Sequence, residues 1–320
     1  MSSHTHSDPS SLGKATDLPS PALKGTLSPS DGEREGVRGF TSIPGPTPIQ
    51  AFGSGVQSQL LPLLRNEIAK AVRRKVPYFG LFLVGLGCAI IYFVAGQPNS
   101  AATSNAWSYI AFSMQLVFSD IGPVCIIMFA AMLVSEETGS GTIRAALAAP
   151  VHRWELYLAK AVTGLLYMLV LSAAALLFSA ALAKIHYQFG AVGDSYGVVY
   201  GRNQALKEFL VCCVLSWIPL SALVMYGLLI STVIRSPGAA VAVGISSLFL
   251  IELGKHLVGL DPYIFTRYIN YTWLKLLEVA QGMDYQWHPE VWKMIELCGI
   301  SAVVTFIAGL IVFVRQDLNH

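Results

Sequence analysis

Hydrophobic and polar positions divide the chain sharply. Residues 1–56 carry few large apolar side chains and are rich in Ser, Pro, Gly and Thr. Such a stretch cannot bury enough surface to offset its ordering entropy, and it lacks the continuous apolar core of a secretory signal. It reads as a disordered cytoplasmic tail. The next stretch, 59–79, places Leu60, Leu63, Leu64, Ile68 and Val72 at helical spacing, with Arg65, Lys70, Arg73, Arg74 and Lys75 as a polar face and basic end. This predicts an amphipathic helix over about 57–77, either lying in the membrane interface with its cations near headgroups or simply leading into the first span.

Six long apolar runs follow, near 78–96, 108–134, 157–183, 208–232, 238–258 and 294–314. A spanning helix needs about 20 mostly apolar residues, and lipid leaves no partner for unpaired backbone groups. The third and fourth are the cleanest, because Ala161 to Ala183 and Phe209 to Ile234 contain no charged residue. The predicted fold class is an all-α polytopic membrane protein with six transmembrane helices over 78–320, preceded by the amphipathic helix. Arg73, Arg74 and Lys75 before the first span, against a 97–107 loop without Lys or Arg, orient the N-terminus inward. Six spans return the C-terminus to the same side, next to Arg315. Loops 135–156 and 231–237 are then cytoplasmic, and 184–207 and 259–293 external. In the last, Tyr268, Tyr271 and Trp273 fit an outer interfacial belt on one or two short surface helices, acting as a lid or a structural cap.

Composition supports the same class. Of 320 residues, 54% are hydrophobic and 12% charged, and mean hydropathy is +0.56, whereas soluble domains carry about 25% charged residues. The net charge of +2 provides no broad cationic surface for nucleic acid. Cys88, Cys125, Cys212, Cys213 and Cys298 all fall in apolar runs, where a thiol acts as a small hydrophobe, so no disulfide framework is expected.

Candidate chemistry concentrates in the loop SEETGSGTIRAALAAPVHRWELYLAK. Thr142 can cap a short helix over about 143–148 after Gly139 and Gly141, and Pro150 ends it. Glu136, Glu137, Arg144 and Arg153 give a compact charged element between two spans. It is either a plain connection or a rigid element passing force from a soluble partner to the second and third spans. Within the spans, Asp120 precedes Gly122 and Pro123. An intramembrane carboxylate faces a wet path or a satisfied structural site, and Pro123 can kink the helix. Glu252 and Lys255, three apart, read as an ion pair at a helix end or as part of a binding site. Trp217 and Pro219 suggest an irregular pathway wall or an ordinary kink.

Catalytic patterns are weak. The GSGT run at 139–142 has no following Lys and no P-loop spacing. No HExxH or CxxC occurs, and His152, His186, His256 and His288 are scattered between opposite membrane sides. The chain is therefore expected to have no catalytic, metal or cofactor site of its own.

The loop resembles the signature region of ABC-2 type transporter permeases: an acidic residue, Gly-Thr, a Leu-containing short helix, Pro, a basic residue, then Glu-Leu and Lys. Glu137, Gly141, Thr142, Leu147, Pro150, Arg153, Glu155, Leu156 and Lys160 supply it. Arg65, Asn66 and Glu67 before the first span, and Phe313, Arg315, Asp317 and Leu318 at the end, extend the likeness over 59–318. The resemblance implies an elbow helix at 57–77. It implies a coupling helix at which Glu136, Glu137, Thr142, Arg144, Leu147 and Arg153 contact or position two cytoplasmic ABC ATPase subunits holding ATP and Mg. It further implies pairing with a second copy or homologous permease among membrane lipids, residence in a bacterial or archaeal inner membrane, and export. Asp120, Pro123, Trp217 and Glu252 are then pathway or gating candidates. A non-transporting scaffold that recruits an ATPase, or an intramembrane enzyme, are the alternative readings.

Overall fold

The computed structural model describes residues 60–95, 105–140, 152–194, 197–259, 261–281, 283 and 288–315; the predicted tail at 1–56 lies outside them. α1 (Leu60–Arg73) turns at Arg74–Lys75 into α2 (Val76–Ala95), whose Pro77 sits in the first turn, where a missing N–H is harmless. α3 (Ala106–Ser119) and α4 (Ile121–Gly139) follow, then α5 (Arg153–His186). A short antiparallel hairpin, β1 (Val192–Asp194) and β2 (Gly197–Tyr200), leads to α6 (Arg202–Val233) and α7 (Pro237–Val258). Two 3-10 turns (Asp261–Tyr263 and Phe265–Tyr268), α8 (Tyr271–Ala280) and α9 (His288–Arg315) complete the chain.

Six of these helices, α2, α4, α5, α6, α7 and α9, are long and apolar enough to cross a membrane. The fold class is therefore as the hydropathy predicts, a six-span helical membrane protein with an amphipathic helix in front. Large apolar side chains such as Phe93, Leu177, Leu250 and Leu257 stand exposed on its flanks, as a surface facing lipid tails requires. α5 is the longest of the described helices at 34 residues, about 51 Å, longer than a hydrocarbon core of about 30 Å.

The predicted second span, 108–134, is two helices rather than one. Asn105 and Ser108 form a reciprocal capping box that starts α3. α3 stops at Ser119 because Pro123 has no N–H to offer the Ser119 carbonyl, and its ring would clash with that oxygen. Asp120 sits in the break with extended-type φ (−130°) and no side-chain cap bond.

α4 is the central helix: 67% of its most apolar window is buried, against 17% for α7 and for α9. α4 and α6 approach closely, and a Cβ added at Gly227 of α6 would stand 2.7 Å from the Ala130 Cβ of α4. Small residues at such contacts supply the packing that hydrophobic burial cannot, because lipid is as apolar as the helix surface. Buried hydrogen bonds add to this. The Val134 and Ser135 N–H groups of α4 donate to Ser231 Oγ of α6 at 2.8 and 3.0 Å, and Ser113 of α3 meets Ser179 of α5 at 3.1 Å.

The 259–293 segment corrects the interfacial-belt expectation. Trp273 is 1% exposed and Tyr268 6%, because α8 packs on α3 and α6 and inserts these rings into the bundle. Asn105 Nδ2 donates to the Ala280 carbonyl at the end of α8. A small satellite core of Trp107, Val192, Tyr200, Ala205, Val279 and Ala280 joins the hairpin to α8, with the Trp107 indole donating to the Gly190 carbonyl at 3.1 Å. All five cysteines are buried free thiols.

Gly227→Val should push α4 and α6 apart, with a destabilisation of about 1–3 kcal/mol. Unfolding of the purified protein in detergent measures it, and an unchanged midpoint would refute the close-approach account.

Candidate functional site

Two constellations stand at opposite ends of α4. At the loop end, four ionisable side chains close a ring. Lys160, two turns into α5, is 0% exposed, and its Nζ donates to Glu67 Oε2 and the Leu133 carbonyl at 2.8 and 2.9 Å and pairs with Glu137 Oε2 at 2.8 Å. Lys70 of α1 reaches Glu67 Oε1 at 2.7 Å and Glu137 Oε1 at 2.8 Å. Each carboxylate bridges both lysines, so two positive and two negative charges balance. A buried charge left without a partner in a low-dielectric interior carries a penalty of several kcal/mol; here every member has two partners of opposite sign. Burial pulls the Lys70 pKa down, but hydrogen bonds to Glu137 and Glu67 and their charges outweigh it, and the value lies above that of an ordinary lysine. Lys70 therefore remains cationic throughout the neutral range.

The ring explains the orientation of α1. Its buried residue is Glu67, while Leu61 and Val72 are exposed. The helix turns a carboxylate into the bundle and apolar side chains outward, which suits an interfacial position. Beside the ring, Arg74 Nε pairs with Glu136 Oε2 at 3.1 Å. The elbow is thus tied by three pairs to the last turn of α4 and the second turn of α5, the two helix ends that bracket loop 140–152.

This placement alters the reading of several predicted coupling residues. Glu137 faces inward, 5% exposed, and holds the base of the loop instead of presenting its carboxylate outward. Arg153 bonds through Nη1 to the Val314 carbonyl at 2.9 Å, near the end of α9, where a cation also complements the helix dipole. Glu136 is the more accessible acid, at 39% side-chain exposure. Thr142, Arg144 and Leu147 lie outside the described residues. Spacing did not reveal the ring, although a signal was present: Lys160 interrupts an apolar run, and a charge inside a span requires a counter-charge at the same depth.

At the other end of α4, three of the four pathway candidates come together. Asp120, Pro123 and Glu252 line one cavity of about 50 Å³ with Ser119, Val124, Leu248, Phe249, Thr266, Ile269 and Asn270. Pro123 contributes by ending α3, which swings Asp120 out of any continuous helix. Asn270 Nδ2 donates to Ser119 Oγ at 3.0 Å, and Glu252 pairs with Lys255 one turn along α7. Trp217 is not part of this cavity; it sits in α6 against the main core, with its indole N–H buried and, among the described residues, without a partner. Thr266 and Asn270 belong to the segment that α8 anchors, and pattern alone could not have placed them opposite Asp120.

A family model described as "ABC-2 family transporter protein" matches residues 63–251, a stretch that contains the whole ring as well as Asp120 and Pro123. No curated protein matches the chain.

Lys160→Met should destabilise the protein by about 3–5 kcal/mol, because it leaves buried carboxylate charge uncompensated. Lys75→Met, at an exposed position, should change stability by no more than about 0.5 kcal/mol. Denaturant titration of the two purified variants against the parent provides the comparison; equal effects would mean that the ring is not a stabilising unit.

Proposed function

The chain belongs to the ABC-2 transporter family, and on that premise we propose that it is the membrane half of an ABC exporter, driven through loop 140–152 by ATPase subunits on separate chains. The observation that carries this reading is the buried Glu67–Lys70–Glu137–Lys160 ring. A soluble partner pressing on the loop acts on the end of α4 and the start of α5 together. The ring makes those ends and α1 one body, since separating them would strand charges in the interior.

The proposed cycle follows from that body. ATP binding draws two ATPase subunits together under the loops of two permeases, and each loop is displaced. α4 moves as a unit from Glu137 to Ile121, about 24 Å. Its far end carries the break at Asp120 and the cavity shared with α7. α7 packs chiefly on α4, and Phe249, Leu250, Leu253 and Leu257 are exposed along it, a surface suited to a second permease or to lipid. Movement of α4 against α7 then opens the path, and hydrolysis and release reset it. Glu136, Thr142, Arg144 and Leu147 are assigned to partner contact; Glu137 and Arg153 position the loop by holding it to α1, α5 and α9. ATP and Mg reside on the ATPase. The N- and C-termini are assigned to the cytoplasm of a bacterial or archaeal cell, with the membrane being the inner one.

Gentle detergent extraction followed by mass spectrometry of co-purifying proteins tests the assembly. An ABC ATPase should accompany the parent and be lost from Arg144→Glu. A folded parent without any ATPase would favour a scaffold of another kind or an enzyme. A second expectation concerns force transmission. Lys70→Met should retain the ATPase while lowering transport per ATP hydrolysed at least several-fold in proteoliposomes; unchanged coupling would remove the ring from the mechanism.

A further inference from the structure

We propose that the groove between the elbow and α5 is a discrete site for one anionic phospholipid, with an acyl chain in the groove and the phosphodiester on Arg73 and Lys75. The site lies apart from the cavity at the α3–α4 break, and it goes beyond the transport reading without needing it.

α1 and α2 both pack on α5, and they leave an apolar trough between them. Ile68 and Val72 of α1, Leu81 of α2, Phe129 of α4, and Leu166 and Val170 of α5 line a volume of about 190 Å³. An apolar cavity of about 150 Å³ stays dry and admits benzene, so this one has room for several methylene groups. Water would lack the two to four polar partners that hold it in such a place. The Thr163 hydroxyl is spent on the Ala159 carbonyl at 2.8 Å, and the Tyr167 hydroxyl is buried against Gly80, where a side chain is missing. The rim is open: Val72, Tyr78 and Val170 are each more than half exposed. Val170 and the exposed Leu177, two turns apart, belong to one apolar flank of α5, so the groove opens where lipid tails lie.

Charge selects the lipid. Lys70, Arg74 and Lys160 are matched by Glu67, Glu136 and Glu137, which leaves Arg73 and Lys75 as the surplus. Both are exposed, and neither pairs with an acid among the described residues. Arg73 follows Val72 and Lys75 precedes Pro77 by two, and both neighbours line the groove. The two cations therefore stand at its mouth. Lys160, level with the elbow through Glu67, comes one turn before Thr163. From there the lining continues to Val170, about 10 Å along α5, away from the charged end and into the span. A headgroup at the turn thus has its chain pointing inward. A basic surface attracts anionic lipid anywhere along it, at roughly five-fold in affinity per cation; two uncompensated cations joined to a dry groove fix one molecule in one place. A zwitterionic headgroup brings its own ammonium against Arg73 and Lys75, and an uncharged guest leaves both without a counter-charge.

The test uses the full-length chain in detergent, stripped of lipid, with dioleoyl phosphatidylglycerol or dioleoyl phosphatidylcholine added back. Phosphatidylglycerol should raise the thermal unfolding midpoint saturably by about 2–4 °C and stay bound at one molecule per chain in native mass spectrometry. Phosphatidylcholine should bind at least ten-fold more weakly. Arg73→Gln combined with Lys75→Gln, both at exposed positions, should leave the lipid-free midpoint in place and erase the difference between the two lipids. Leu166→Trp, which fills the groove, should weaken both lipids at least several-fold with the charges intact. On the parent, glycerophosphoglycerol, the headgroup without chains, should give no shift, and this tests the groove even where Leu166→Trp fails to fold. The proposal is overturned by equal binding of the two lipids, by an undiminished phosphatidylglycerol shift in the double variant, or by a headgroup as effective as the intact lipid. Binding that climbs without saturating marks an ordinary lipid annulus and overturns it as well. So does a dimer that Leu166→Trp breaks with no effect on lipid, which assigns the groove to a second copy. None of these readouts requires the ATPase, so its absence from a co-purification leaves this result separately interpretable.

Discussion

A charge removed from water must find its counter-charge, and in this protein that constraint joins α1, α4 and α5. Lys160 is fully buried, and its three acceptors come from two other elements: Glu67 on the elbow, and Glu137 and the Leu133 carbonyl on α4. No two of these helices can separate without exposing an unpaired ion to an apolar interior. The angle of the elbow, the depth of α5 and the end of α4 are therefore mutually set. Packing such as Gly227 on Ala130 and hydrogen bonds such as those to Ser231 Oγ then hold α4 against α6. The loop between α4 and α5 springs from helix ends that ion pairs tie to α1.

The opposite end of α4 is built on the reverse principle. Pro123 prevents helical continuity, α3 ends at Ser119, and Asp120 is left in the gap with no side-chain cap bond and, among the described residues, no cation. Thr266 and Asn270 line the same cavity. One helix thus joins a closed, charge-balanced junction to an open, incompletely satisfied one.

Several side chains show why a sequence pattern carries part of this arrangement and not the rest. Lys160 and Asp120 are conspicuous as charges near or inside apolar runs, yet their fates are opposite: among the described residues one is saturated with partners and the other has none. The difference lies in what approaches from distant parts of the chain: Glu67, 93 residues away, for Lys160, and the Thr266–Asn270 segment for Asp120. Trp273 has the composition of an interfacial anchor, but α8 folds inward and buries it. Arg153, at the mouth of the loop, is drawn to the end of α9 by free carbonyls that no local pattern discloses.

What the sequence alone determined was the solvent, the number of crossings and the family resemblance. These depend on run lengths of apolar residues and on a local motif, quantities that are complete within one stretch of chain. The division of the second span was half legible, since Pro123 announced a disturbance without saying that the helix would stop. Only the tertiary structure decided which charges pair, which polar atoms lack partners, and that Asp120, Pro123 and Glu252 share a cavity while Trp217 does not. Those outcomes depend on the relative positions of helices far apart in sequence, and pairing energy in a low dielectric is set by separations of a few ångströms that spacing along a chain does not encode.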